Sequence, residues 1–432
     1  MTMRINAGGA NMDHKKCDHR DHGFGATRRT FLKSGVAGFG AVAASQFFLN
    51  ETALGMSVDA LSGRESKYPN RILVVLELTG GNDGLNTVVP YSNDDYYRAR
   101  PTIAIRKDQA INISDDFGFH PRLLGFEHLF KNGQMAVVHG CSYPQPNRSH
   151  FVSMGYWHTA VPNGADTRGW LGRLADTWMP TPKEQLVVNI SKEMSMAVKS
   201  NVQAPVVFGD PNRFVREGGE AEKEVFAKLA KDNLETGNDS LRFLHNIAVT
   251  ADRSSEFVRT ACAEYRTKMD YGYGEVGTDL KRVTALIQAK APTRIFYLNF
   301  GSFDTHVSQS GQHNGLFDRL GDAVFGFLRD LKRIGREDDV AVLAFTEFGR
   351  RVKENASFGT DHGVASPMFV FGSKVKGGFY GKHPSLTDLD VGDLKMTTDF
   401  RSVYATMLKE WMGFEDTRTI LKGDHPTLGV FS

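Results

Sequence analysis

Short, almost unbroken apolar runs recur along the chain at residues 71–78 (RILVVLEL), 135–139, 186–190, 205–208 (PVVF), 294–300 (RIFYLNF), 340–345 (VAVLAF) and 368–371. Their length and β-branched content predict strands, and their continuous apolar character fits a sheet covered on both faces, as in parallel sheets. Between them the period changes. From Leu316, apolar positions return at Leu320, Val324, Phe327, Leu328, Leu331 and Ile334, one face of a helix of about five turns. A second such stripe is Phe400, Val403, Tyr404, Met407, Leu408 and Trp411. Thr398-Asp399 opens it with a capping side chain, and Gly413 stops it. Strands alternating with helices predict an α/β domain. Residues 210–290 differ: they are polar and helix-prone, with Glu and Lys frequent over 217–231, and read as a mainly helical insertion.

The 432 residues are 41% hydrophobic and 24% charged, with a formal net charge of +2. That balance excludes a nucleic-acid binder and a disordered chain. One early stretch carries an address. Thr27-Arg28-Arg29-Thr30-Phe31-Leu32-Lys33 precedes a mildly apolar run, residues 36–44, in the layout of a twin-arginine export signal. The expected organisation is a leader over residues 1–55, read by the twin-arginine translocase, and a single domain over 56–432 placed in the periplasm or secreted. Nothing after residue 60 is long and apolar enough to predict a membrane span. His14, Cys17, His19 and His22 lie in the polar head of the leader and are assigned to it rather than to a metal site. Loss of Cys17 with the leader leaves Cys141 and Cys262, for which one disulfide stays open.

Chemistry is expected beyond the carboxyl ends of the strands. The first strand runs into Thr79-Gly80-Gly81-Asn82-Asp83-Gly84-Leu85-Asn86, which presents Asp83 but has no G-x-G-x-x-G fingerprint. The second leads to Arg148-Ser149-His150-Phe151. There Ser149 can cap a helix, or act as a nucleophile beside Arg148 and a helix N-terminus. Cys141 does not fit C-x-P-x-R, because its proline is one position late. Asp304 and His306, two apart after the run at 294–300, project to one face and suit a shared cation, with His313 nearby. Glu347 ends the run at 340–345, where it is either a carboxylate ligand or a surface partner of Arg350 or Arg351. Asp361 and His362 sit between glycines in a polar loop. Together Asp83, Asp304, His306, Glu347, Asp361 and His362 form a carboxylate and imidazole set without thiolate.

The ordered motifs GGNDGLNTVVPY, RSHF, GWLGR, FDTH, TEFGRR, GTDHG and TDFR resemble the bacterial twin-arginine-exported family known as domain of unknown function 1501. That family looks like a divergent branch of the alkaline-phosphatase and sulfatase-like superfamily. The resemblance implies a three-layer α/β/α sandwich, divalent metal and hydrolysis of phosphate or sulfate esters. It implies metal roles for Asp83, Asp304, His306, Glu347 and His362, and a nucleophile at Ser149. Two departures stand out: Asp304 and His306 are two apart where the superfamily usually has four, and Glu347-Phe348 replaces the usual Asp-His.

The expected function is therefore an exported metal-dependent hydrolase of small anionic esters, with Ser149 attacking and Arg148 steering. Zinc is the first candidate ion, with calcium, magnesium or manganese as alternatives. A noncatalytic envelope protein that keeps the fold for binding or assembly is the competing expectation, and a Glu347–Arg350 pair would favour it. A redox protein is the third, with neither C-x-x-C nor a dinucleotide fingerprint behind it.

Overall fold

A computed structural model describes residues 66–215 and 239–432, with side chains from residue 251 onward in the second stretch. The expected leader, its His- and Cys-containing head and the Glu- and Lys-rich segment 217–231 lie outside the described residues. Each predicted apolar run forms a strand: Ile72–Leu78 (β1), Met135–Ser142 (β2), Val187–Ile190 (β3), Val206–Phe208 (β4), Ile295–Phe300 (β5), Val340–Phe345 (β6) and Ser366–Phe371 (β7). Two short strands the pattern did not announce, Gly378–Tyr380 (β8) and Thr398–Asp399 (β9), complete a nine-stranded sheet. Its order is β8-β2-β7-β6-β1-β5-β3-β4, with β9 also pairing β2. All neighbours are parallel except β7, which runs antiparallel to both β2 and β6.

The helices around it are Gly84–Thr87 (α1), Leu124–Lys131 (α2), His150–Thr159 (α3), Trp170–Trp178 (α4), Asp239–Glu264 (α5), Glu275–Gln288 (α6), Gln309–Arg333 (α7) and Phe400–Thr406 (α8). Strand alternation sorts them into layers. Ile72, Val74, Leu76 and Leu78 of β1 share a core with Phe126 of α2, Leu280 and Val283 of α6, and Leu320, Val324 and Phe327 of α7. Leu73 and Val75 share the opposite core with Trp157 of α3, Trp170 and Leu174 of α4, and Tyr404 of α8. The result is the expected three-layer α/β/α architecture. In the second core Trp157 stacks on Phe400 and Phe345, with ring centroids 4.1 and 5.3 Å away, and so ties α3 to the sheet.

The helix ends follow local chemistry. Asp399 caps α8 by accepting from Arg401 N at 2.9 Å, and Gly413 takes a left-handed φ of +75° where the stripe ends. Within the segment 210–290, α6 packs along α7 inside the first layer. Cys141 and Cys262 are free thiols: Cys141 is buried in the second core, and Cys262 packs against the first, on the other face of the sheet. The bridge left open by the cysteine count is thus ruled out by a sheet that stands between the two sulfurs. Among the described residues no helix is long and apolar enough to cross a membrane.

Candidate metal centre

Because β1, β5 and β6 are adjacent and parallel, the loops that follow them open at one end of the sheet. Gly80 follows β1, Asp304 and His306 follow β5, and Glu347 follows β6. The loop before β7 brings Asp361 and His362 to the same end, and the first turn of α3 adds His150. Close backbone approach makes the convergence possible. Gly80, at φ +112°, presses against the backbone of Asp304, and a Cβ there would meet Asp304 N at 2.5 Å. Gly359 packs on His306, where a Cβ would lie 2.3 Å from backbone atoms.

Three imidazoles and one carboxylate meet in the centre. His306 Nε2 and His362 Nε2 lie 2.9 and 3.1 Å from Asp304 Oδ1 and 3.0 Å from each other. His150 Nε2 is 3.4 Å from Asp304 Oδ2. That contact is misaligned for a hydrogen bond, so this buried nitrogen has no partner. The outer nitrogens are all engaged by acceptors: His150 Nδ1 by Glu347 Oε1 at 2.8 Å, His306 Nδ1 by Asp361 Oδ1 at 3.2 Å, and His362 Nδ1 by the Arg148 carbonyl at 2.9 Å. A carbonyl or carboxylate only accepts, so each Nδ1 carries its proton and, in the neutral ring, each Nε2 presents a lone pair inward. Lone pairs facing one another and a carboxylate repel unless positive charge lies between them; Arg350, with Nη1 3.4 Å from His306 Nε2, supplies part of that charge, while His150 Nε2 has no partner.

Charge around this point is arranged with the same sense. Desolvation works against an ionised Asp304, but the Arg350 guanidinium, through its hydrogen bond and its charge, helps to outweigh it and hold the carboxyl at about 2. Burial lowers the His362 imidazole, with Asp304 opposing. The hydrogen bond to Glu347 raises His150. Arg350 is buried, donates to Asp304 Oδ1 at 2.6 Å, and is clamped by the carbonyls of Gly81 and Thr360 at 2.7 and 2.8 Å. The ligand atoms of His150, Asp304 and His362 lie within 4.8 Å of one another. Tetrahedral zinc, with bonds of about 2.0–2.2 Å, sets its donors roughly 3.4 Å apart, close to the 3.4 and 3.1 Å separations of the histidine nitrogens from Asp304. Outer acceptors that fix each tautomer are also what a ligating histidine requires. The donor set fits a divalent ion.

A family model described as "Protein of unknown function (DUF1501)" matches residues 70–425. The chain belongs to this family. No curated protein matches it. Among solved structures, this DUF1501 protein is similar to a protein in the alkaline phosphatase superfamily from Vibrio parahaemolyticus, with 10% identity, 84% of this chain and 71% of that one covered, and a TM-score of 0.37. It is similar to the lipoteichoic acid synthase LtaP from Listeria monocytogenes, with 9% identity, 85% and 79% covered, and a TM-score of 0.35. A third is the C-terminal periplasmic domain of EcEptC from Escherichia coli in complex with Zn, with 10% identity, 72% and 75% covered, and a TM-score of 0.33.

The residues singled out from the sequence of this DUF1501 protein are placed unequally. Asp304, His306 and His362 meet in the cluster, and Glu347 and Asp361 stand behind it as acceptors for imidazole protons. Asp83 does not join them. It is fully buried and held by Arg100 through two hydrogen bonds of 2.5 and 2.9 Å, by Gln309 at 2.6 Å, and by its capping bond to Leu85 N. A guanidinium thus occupies the place beside Asp83 that a cation would need. Ser149 is exposed at the start of α3 and its side chain does not cap the helix. Arg148 pairs with buried Asp393, so its guanidinium is turned to that carboxylate and its carbonyl to His362. Glu347 faces His150 and Gly80 N rather than Arg350. His150 and Arg350 are the participants that sequence reasoning passed over. Both sit inside motifs already singled out, RSHF and TEFGRR, but neither spacing reveals that an isolated His or Arg turns inward.

Proposed function

We propose that this protein is an exported metal-dependent hydrolase of phosphate or sulfate esters, with one divalent ion held by His150, Asp304, His306 and His362. The carrying observation is the inward set of three Nε2 atoms around Asp304, each imidazole having its outer proton taken up by an acceptor. Imidazole-rich ligation makes zinc the first candidate, with manganese, magnesium or calcium next. When bound, such an ion supplies Lewis acidity and lowers the pKa of a coordinated hydroxyl or water. Arg350 keeps Asp304 ionised and oriented. Glu347, Asp361 and the Arg148 carbonyl hold the three rings in their ligating tautomers. The exposed Ser149 hydroxyl, next to His150 at a helix N-terminus whose first N–H groups can receive an anion, is the proposed nucleophile.

In this reading residues 1–55 are a leader removed after twin-arginine export, and residues 56–432 are one phosphatase-like domain working outside the cytoplasm. The test is elemental analysis of mature protein purified from the periplasm without chelators, beside an Asp304→Ala, His306→Ala variant. Close to one zinc or other divalent ion per chain, lost in the variant, is the expected result. Metal-free wild-type protein would overturn the reading in favour of a noncatalytic binding role. A phosphate- and sulfate-ester screen with Ser149→Ala then tests the nucleophile.

A further inference from the structure

We infer that Gln309 is a positioning residue of the proposed metal centre: its buried amide fastens the loop of Asp304 and His306 to the loop of Asp361 and His362, and Asp83 sets which way round that amide sits; this rests on the function proposed above. Donors to one ion must keep their places to within about 0.5 Å, yet His306 and Asp361 lie 55 residues apart. Each loop carries a buried threonine beside its site residues. Thr305 stands between Asp304 and His306 and is fully buried where they are partly exposed, so its side chain runs into the protein. Thr360, also fully buried, directly precedes Asp361.

Both hydroxyls donate to one atom. Gln309 Oε1 accepts from Thr305 Oγ1 at 3.0 Å and from Thr360 Oγ1 at 2.6 Å, so its two lone pairs are each taken by a different loop. The Thr305 hydroxyl, its proton given to Gln309, accepts in turn from His313 Nε2 at 3.2 Å. On the other side Gln309 Nε2 donates to Asp83 Oδ2 at 2.6 Å. Arg100 donates to both Asp83 oxygens, and the carboxylate itself offers only acceptors. A flipped amide would set Oε1 against that carboxylate, so Asp83 fixes the orientation that leaves Oε1 to the threonines. Asp83, absent from the donor set, thus acts on the donors through Gln309. Arg350 and, at the surface, Asn355 bridge the same two loops. Gln309 differs in that its side chain bonds to none of the donors, so replacing it leaves the ligand set intact.

The test is the zinc affinity of the mature protein, read by competition with a chromogenic chelator, beside the visible spectrum of the cobalt(II)-loaded form, which reports ligand geometry. Gln309→Met keeps most of the volume and removes both ties. Its zinc affinity should fall about ten-fold or more, the range seen when a group that orients a ligand is lost, and its cobalt band should shift. Thr305→Val, Thr360→Val removes the same two bonds from the other side and should lose as much. Because the three side chains act as one unit, adding Gln309→Met to that pair should weaken binding by less than about a further two-fold. Leu174→Ala opens a cavity in the core on the opposite face of the sheet; it should lower stability and leave zinc affinity and spectrum unchanged. Wild-type zinc affinity in Gln309→Met, losses that multiply in the triple variant, or an equal loss in Leu174→Ala would overturn the inference while the metal centre stands. Where Gln309→Met does not fold, the threonine pair decides, and unchanged affinity there overturns it as well. Wild-type protein that binds neither ion removes the underlying reading instead.

Discussion

Arg100→Met should destabilise this protein more than the loss of both members of its ion pair. Arg100 and Asp83 are fully buried, and the guanidinium donates to both Asp83 oxygens, to Asn86 Oδ1 at 2.7 Å and to the carbonyls of Arg351 and Val352 at 2.9 Å. Desolvation by itself would raise the Asp83 carboxyl, yet Arg100 outweighs it and holds the group below the usual carboxylate range. Methionine fills much of the volume but leaves the carboxylate only Gln309 and a backbone N–H. Removing one partner of a buried ion pair costs about 3–5 kcal/mol, whereas removing both charges can be near neutral. Asp83→Asn added to Arg100→Met should therefore recover roughly half of the loss, about 2 kcal/mol. Urea unfolding at about pH 7 measures both.

Acidity supplies an independent check on the same pair. In the wild type, the depressed Asp83 pKa contributes stability above the unfolded-state value, lost only as pH falls through the folded value. In Arg100→Met the unopposed desolvation places the folded pKa above the unfolded one, so the penalty is full near neutrality and shrinks as pH falls toward about 4. The gap between variant and wild type should narrow on acidification. A penalty below about 1 kcal/mol, no recovery in the double variant, or a gap that widens in acid would refute the reasoning.

Two further outcomes concern the proposed metal centre. Gly359→Ala puts a Cβ 2.3 Å from His306 backbone atoms, so the loop must move and zinc affinity, read by competition with a chromogenic chelator, should fall about ten-fold or more, the scale seen when a group that orients a ligating side chain is disturbed; unchanged affinity would show that the loop accommodates the methyl. Zinc at a hundred times its dissociation constant should add about 2.7 kcal/mol to stability, seen as a higher Tm that a chelator abolishes. Asp304→Asn should show no such zinc-dependent rise, and an equal rise would remove Asp304 from the ligand set.

Much of the scaffold was legible because it depends on local pattern. Seven apolar runs became seven strands, and the 3.6-residue stripes became α7 and α8, the latter continued by a π-helical turn over Met407–Trp411, since a strand or helix must bury whatever apolar face its sequence supplies. Asp399 as a cap and Gly413 as a stop were equally local. The reversed direction of β7 and the two short edge strands were not legible, because direction depends on connections and edge pairing on neighbours far along the chain.

The site divides in the same way. Residue type and strand-end position singled out Asp304, His306 and Glu347, which need only the rule that loops after parallel strands share one end of the sheet; Asp361 and His362, singled out by residue type between glycines, precede β7 and reach that end because β7 runs antiparallel. Their division into inward donors and outer acceptors is tertiary, for it depends on which acceptor each imidazole Nδ1 meets. Asp83 obeys the same positional rule, yet Arg100, seventeen residues on, reaches it first inside the core and takes both its oxygens. His150 enters from a helix that tertiary contacts bring against the sheet, among them the packing of Trp157 on Phe345 and Phe400 and the His158–Glu77 contact. The sequence by itself determined the layers and most of the chemical groups available. Three-dimensional packing decided which of them face one another, because partners for a buried charge or lone pair are chosen by distance in space and not by spacing along the chain.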